Sequence, residues 1–228
     1  TMATLRRLVD LLTTWRINQL QLYMEHTFAY RGHEVVWRGA SPMTGPQIEA
    51  LDRYCRARGI ELVPSQNCFG HMERWLKHRP YSKLAETDGS WTTPWGTTRD
   101  RPSTLCPLDP GSIKLVSSLL GQLLTHFSSR QVNVGCDETC ELGQGRSGAA
   151  CQRRDVGRVY VDYLLKVSRE VRRRGRRMMF WSNSVLEHPE AVRRLPKDAI
   201  ALIWGYEADH PFDRQCKLVR SAGLEFYV

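Results

Sequence analysis

No apolar run in this chain approaches the roughly 20 residues that a membrane-spanning helix requires. No charged, apolar, then small-residue pattern of a secretion signal opens it either, and no membrane partner is expected. Cys-x-x-Cys pairs are also missing. The seven cysteines, Cys55, Cys68, Cys106, Cys136, Cys140, Cys151 and Cys216, are odd in number and lack metal-ligand spacing, against a zinc site or a disulfide framework. Several sit in apolar stretches where a free thiol packs as a small hydrophobe, which favours a reducing, cytoplasmic setting. No glycine-rich turn follows the first expected strand, so a dinucleotide fold would have no phosphate cradle. Basic residues are in excess, at net charge +9, but scattered. The densest run, Arg172 to Arg177, closes an expected helix, where cations complement the negative dipole end. Without an aromatic ladder or a binding motif it does not make a nucleic-acid surface.

What is present is an ordinary globular composition, 41% hydrophobic and 25% charged over 228 residues. Helical and strand periodicities alternate along it. Helices are expected near 3–16, 46–58, 112–127, 154–174, 188–194 and 211–222. Strands are expected near 17–24, 60–64, 131–137, 178–181, 199–204 and 224–228, most of them too apolar to leave one face wet. Gly59 and Gly223 punctuate helix ends, and residues 88–111 form a turn-rich loop region. Alternating helices and buried strands indicate a parallel sheet covered on both sides. Polar or aromatic residues recur just after strand ends: Glu25-His26, Asn67 to His71, Asp137-Glu138, Trp181 to Asn183, Trp204 and Tyr227. One functional rim at successive carboxyl ends fits an α/β fold of the (β/α)8 TIM barrel type better than a doubly wound sheet. The expectation is a single catalytic barrel domain over 1–228, with about six of eight strands and both ends of the barrel incomplete.

The most informative segment is Gln131-Val132-Asn133-Val134-Gly135-Cys136-Asp137-Glu138-Thr139. A short apolar strand stops there on adjacent carboxylates, which a strand interior would bury at a cost of several kcal/mol. Such a pair suits a cleft where one carboxyl holds a proton while the other stays charged. It also suits a bland alternative, an Asp capping the next helix with a Glu in its first turn.

Asn133-Val134-Gly135-Cys136-Asp137-Glu138 resembles the signature of glycoside hydrolase family 20, the β-N-acetylhexosaminidases: His or Asn, any residue, Gly, a small residue, Asp-Glu. Pro64-Ser65-Gln66-Asn67-Cys68-Phe69-Gly70-His71 is loosely similar to the family's Pro-Glu-x-Asp-x-Pro-Gly-His stretch; Pro64, Gly70 and His71 agree, while both acidic positions and the second proline do not. His26 stands about where the family carries an Asp, and the strand Leu22-Tyr23-Met24-Glu25 resembles a divergent branch. The resemblance implies exo-hydrolysis of terminal N-acetylglucosamine or N-acetylgalactosamine, with retention, through the substrate's own 2-acetamido group. It implies Glu138 as general acid, Asp137 orienting the acetamido nitrogen, His71 bonding Glu138, and Tyr227 donating to the acetamido carbonyl. Trp181 and Trp204 would supply apolar surface for the pyranose and the acetamido methyl, and Glu25 would meet sugar hydroxyls or pair with His26 or Arg31. No cofactor and no metal are called for, and the partner is a carbohydrate. Trp37, Trp75, Trp91 and Trp95 lie in helices or loops, and one or two of them line outer sugar subsites. Two other readings compete: a non-hydrolytic carbohydrate-binding barrel, given the departures at Ser65, Asn67 and His26, and a metal-dependent hydrolase using His26, His71 and Asp137.

Overall fold

Each apolar helical stripe in the sequence finds a strand to cover, and the chain coils accordingly. The computed structural model describes all 228 residues. Helix α1 (Met2–Thr14) precedes β1 (Gln19–Tyr23), and α2 (Glu34–Trp37) and α3 (Gly45–Arg56) precede β2 (Glu61–Ser65). Single-turn helices α4 (Glu73–Leu76) and α5 (Arg79–Ser82) lead to a hairpin of β3 (Trp91–Thr92) and β4 (Thr98–Arg99). Then come α6 (Pro110–Leu123) with a 3-10 turn over Leu124–His126, and β5 (Gln131–Asn133). Helices α7 (Gly148–Arg154) and α8 (Val156–Arg172) precede β6 (Arg177–Trp181), and α9 (Asn183–Leu186) and α10 (Pro189–Val192) precede β7 (Ile200–Leu202). Helix α11 (Phe212–Ser221) and β8 (Glu225–Tyr227) close the chain.

Six strands form one parallel sheet in the order β1-β2-β5-β6-β7-β8, with β1 and β8 at its open edges. That is the strand order of an incomplete (β/α)8 barrel, as expected. Side chains alternate across each strand. On the outer face Leu62, Val132, Met178, Phe180 and Ala201 join a core of 51 buried residues shared with the helices, and Leu20 and Leu22 pack on it. On the inner face Val63, Met179, Ile200 and Leu202 form a small separate cluster against Trp181. No helix is long and apolar enough to cross a membrane.

The inner face is wetter than the strand composition suggests. Gln19 reaches Glu61 and Gln131, each at 3.4 Å, Asn133 Nδ2 donates to Gln21 Oε1 at 2.8 Å, and Arg177 pairs with Glu225 at 2.8 Å. Glutamine at every second position of β1 is what places these amides inside while Leu20 and Leu22 face the helices.

Local departures from the sequence expectation have local causes. The helix expected at 154–174 breaks at Asp155, whose φ of 74° ends α7 and whose carboxylate accepts from Arg158 N at 3.3 Å to start α8. The segment before it, expected as loop, holds α7. The helix expected at 188–194 is the single-turn α10, with Pro189 in its first turn, and a further single-turn helix, α9, precedes it. The β3–β4 hairpin inside 88–111 was hidden by strands of two residues each.

The helix layer reaches the site through two tyrosine hydroxyls of α8, Tyr163 on the Cys68 carbonyl and Tyr160 on the Cys136 carbonyl. Tyr160 of α8 is fully buried and donates to the Cys136 carbonyl at 2.8 Å, just before Asp137. Tyr160→Phe leaves that buried carbonyl without its partner and should cost about 1–3 kcal/mol. Urea denaturation reads this directly; an unchanged midpoint would mean that the bond contributes nothing net.

Candidate active site

The site is assembled where two turns, after β2 and after β5, press against each other. A Cβ on Gly70 would lie 2.2 Å from the Asp137 carbonyl oxygen, and one on Gly135 would lie 2.6 Å from Asn67 Oδ1. Only glycine permits either approach, and Gly135 also has φ +65°. Asn133 shapes the second turn: its Oδ1 accepts from Gly135 N at 2.8 Å while its amide binds Gln21. Gln66, fully buried, ties the first turn to the end of β1 by donating to the Glu25 carbonyl at 3.1 Å and accepting from Tyr30. Trp75 donates to the same Glu25 carbonyl at 2.9 Å.

Glu25, His71, Cys136 and Glu138 all have positive φ, between 45° and 68°. Side chains rarely adopt that backbone, which costs about 1–3 kcal/mol per residue and persists where surroundings enforce it. Here three of the enforced residues carry the carboxyls of Glu25 and Glu138 and the His71 imidazole, and the fourth, Cys136, directly precedes Asp137.

His71 Nε2 lies 3.2 Å from Asp137 Oδ2 and 3.4 Å from Glu138 Oε2. The expected bond to Glu138 is therefore corrected: the hydrogen bond of His71 goes to Asp137, with Glu138 beside the same nitrogen, because the turn at Gly70 abuts Asp137. The Asp137 side chain is 17% exposed and that of Glu138 is 41% exposed, so the first is held in the wall while the second projects into solvent-filled space. Neither caps a helix; α7 begins only at Gly148, which removes the bland alternative. The Asp137 hydrogen bond, reinforced by the charges of Glu138 and Glu25, raises the His71 pKa above 6.5 despite partial burial.

Sequence reasoning placed Asn67 at the rim without giving it a role and missed Tyr23 as a site residue. Asn67 Nδ2 donates to the Tyr23 hydroxyl at 2.8 Å, which leaves the phenolic hydrogen free to donate onward. Burial, then the neighbouring charge of Glu25, pushes the Tyr23 pKa up to about 12, so this donor stays protonated. The signal that could have found it is the alternation Gln19, Gln21, Tyr23, which places all three on the inner face.

The remaining expected residues divide. Trp181 is on the inner face at the end of β6. Trp204, after β7, lines a cleft of about 390 Å³ with Glu138, Thr139, Tyr160 and Asn183. Tyr227 is in register with Leu202, which is in register with Trp181, and sits on the open edge, 37% exposed, without a side-chain hydrogen bond to the carboxylates. His26 does not join the site. Burial lowers its pKa, and its Nδ1 is buried without a partner. His26, His71 and Asp137 are not a set of mutually close donors; the cluster with donor atoms within 4.8 Å is Asp155, His188 and Glu190, at the start of α8. Trp37 and Trp75 donate to the carbonyls of Tyr30 and Glu25 and are structural.

The parallel sheet of an incomplete (β/α)8 barrel, with an imidazole set between two carboxylates at its carboxyl rim, defines the class of fold and site. Within that class the chain belongs to glycosyl hydrolase family 20, whose catalytic-domain profile matches residues 1–227. It is 26% identical over 201 residues to human hexosaminidase D (Homo sapiens), covering 84% of this chain and 39% of that protein. The bovine hexosaminidase D (Bos taurus) is 25% identical over the same length, with 55% of that protein covered. The chain thus spans about half the length, or less, of these curated relatives. Among solved structures, the Flavobacterium johnsoniae chitobiase superposes with a TM-score of 0.81 at 17% identity, over 99% of this chain and 35% of that one. The exo β-N-acetylglucosaminidase of Vibrio harveyi, in complex with N-acetylglucosamine, superposes at 0.76 with 16% identity, over 99% of this chain and 38% of that one.

Two outcomes follow from the bridge. The His71 imidazole should titrate above pH 6.5 by NMR, and Asp137→Asn should bring its midpoint down. Because the folded pKa is raised, the stability contributed by protonated His71 is fully present below about pH 6.5 and fades as pH rises through the folded midpoint. A His71 midpoint below 6.5 would contradict the bridge. Gly70→Ala should separate the two turns and lower both the melting temperature and activity, checked by calorimetry beside turnover.

Proposed function

We propose that this chain carries the active site of an exo-acting β-N-acetylhexosaminidase, which removes terminal N-acetylglucosamine or N-acetylgalactosamine with retention by substrate-assisted catalysis. The observation that carries the reading is the joint presentation of Asp137 and Glu138 to one imidazole nitrogen. A retaining glycosidase with its own nucleophile holds its two carboxyls about 5–5.5 Å apart on opposite sides of the scissile bond. Carboxyls bridged by one His71 nitrogen approach the sugar from the same side. That arrangement supports an attack from within the substrate, by the 2-acetamido oxygen.

In this mechanism Glu138, the more exposed of the two, protonates the leaving oxygen and then activates the water that opens the cyclised intermediate. Asp137 accepts from the acetamido N–H and faces the charge that develops on the ring formed. His71 keeps the two carboxyls at fixed separation. Trp181 and Trp204 enclose the acetamido arm and the pyranose face, and Tyr227 donates to the acetamido carbonyl. Glu25 accepts from sugar hydroxyls while Tyr23, held by Asn67, donates to one. Pressing the acetamido oxygen onto the anomeric carbon replaces a bimolecular attack by an intramolecular one, which lowers the barrier by several kcal/mol.

Glu138→Gln should lose about 100- to 10,000-fold in turnover on a poor, sugar-type leaving group and far less on a nitrophenol, which needs little protonation. Equal losses on both leaving groups would remove Glu138 from the acid role. Chromogenic N-acetylhexosaminides should be cleaved, thiazoline analogues of the cyclised intermediate should inhibit, and plain β-glucosides should not react. Efficient cleavage of a β-glucoside lacking the acetamido group sinks the substrate-assisted mechanism.

A further inference from the structure

Asp155, His188 and Glu190 meet on the helix side of the Trp204 cleft, and the hexosaminidase chemistry uses none of them. One ligand atom from each lies within 4.8 Å of the others. We propose that these three side chains bind one divalent transition-metal cation, Zn²⁺ by preference, which clamps the start of α10 to the α7–α8 junction. The proposal stands apart from the hexosaminidase reading.

The spacing of the first two donors is that of co-ligands. His188 Nδ1 stands 3.6 Å from Asp155 Oδ1, too far for a hydrogen bond. Two donors bound to one Zn²⁺ at about 2.0–2.2 Å each, at the tetrahedral angle, stand roughly 3.4 Å apart. Asp155 Oδ1 already accepts the capping bond from Arg158 N at 3.3 Å, but a carboxylate oxygen has a second lone pair to offer. The imidazole is held in place from below. Its ring lies over Gly157 in the first turn of α8, where a Cβ would lie 2.4 Å from His188 Cγ. A side chain there would push the ring away from Asp155. Glu190 follows His188 by two residues, in the first turn of α10.

The charges point the same way. In a chain of net charge +9, arginines flank both carboxylates: Arg154 precedes Asp155, and Arg194 follows Glu190 by four residues. Both arginines turn instead to Asp162. Asp155 has no partner among the lysines and arginines, and the Glu190 carboxylate makes no ion pair. Two carboxylates beside an imidazole, which ligates in its neutral form, present a formal charge that one divalent cation cancels. An imidazole nitrogen suits Zn²⁺ and its neighbours and is foreign to the oxygen shells of Ca²⁺ and Mg²⁺. Three protein ligands leave the fourth position to water.

The clamp would bear on the active-site wall. Val156, beside Asp155, and Glu187 and His188 line the cleft of about 390 Å³ that Glu138, Trp95 and Trp204 share. Asp155 and Glu190 do not line it. The cation therefore fixes one wall from behind and has a positioning role.

Chelator-treated protein, titrated calorimetrically with ZnCl2 beside Asp155→Asn and Glu190→Gln, tests this. Asn still caps a helix, and Gln keeps the shape of an exposed side chain, so both variants should match the wild-type melting temperature without metal. Wild-type protein should bind one equivalent and melt higher with Zn²⁺, and each variant should lose about 100-fold or more in affinity, at least the loss of an outer-shell partner. The seven free thiols could take zinc too, but that binding would persist in both variants. Binding unchanged by the variants overturns the site, and no binding leaves the cluster a plain ion pair and overturns it as well. CaCl2 bound in preference to ZnCl2 overturns the choice of metal. In wild-type protein the His188 imidazole signals should shift in NMR as Zn²⁺ is added. Unmoved signals overturn the site even where a variant fails to fold.

Discussion

Everything at the rim depends on two turns touching without side chains between them. Gly70 lies so close to the Asp137 carbonyl that a single methyl group would part them, and Gly135 stands in the same relation to Asn67. Through that contact the loop after β2 delivers His71 to the carboxylate pair in the turn after β5, with Asp137 66 residues further along the chain. The backbone is strained at His71, Cys136 and Glu138, and the packing that holds the strain is buried: Tyr160 on the Cys136 carbonyl, Tyr163 on the Cys68 carbonyl, Gln66 on the end of β1. Strain enforced from below is a way to keep reactive groups in place before substrate arrives.

Buried polar groups do the same work further out. Glu141 and Glu86 are both fully buried, yet each accepts hydrogen bonds, Glu141 from Thr87 and Ser103, Glu86 from Ser147 N and Oγ. Each ties the loop region 86–105 to the segment following the carboxylate pair. Both Glu141 oxygens are filled, which defines one geometry for two long loops, whereas Glu86 accepts only at Oε1 and its buried Oε2 has no partner. The polar inner face of the sheet obeys a similar logic. Gln19, Gln21, Asn133, Arg177 and Glu225 satisfy one another across strands beneath the site, so an open-edged sheet keeps its inner surface ordered without an apolar plug of full height.

Much of this was readable in one dimension. Strand and helix positions follow from apolar spacing, and that spacing is a local property: a helix must cover the core at a 3.6-residue period and a buried parallel strand must be apolar along its length. The recurrence of polar and aromatic residues just past strand ends marked the rim, and Asn133 to Glu138 marked the carboxylate pair and the family. The short helices α7 and α9 and the two-residue strands of the hairpin were not readable, because they are too short to impose a period. What the sequence by itself determined was the barrel-type alternation, the identity of Asp137 and Glu138, and the family. Only the tertiary structure decided which carboxylate His71 binds, that His26 stays outside, that Asn67 turns the Tyr23 hydroxyl into a donor, and that Trp95, not Trp37 or Trp75, stands open beside Glu138. Those outcomes depend on contacts between residues far apart in the chain, at distances of a few ångströms that no spacing along one strand encodes.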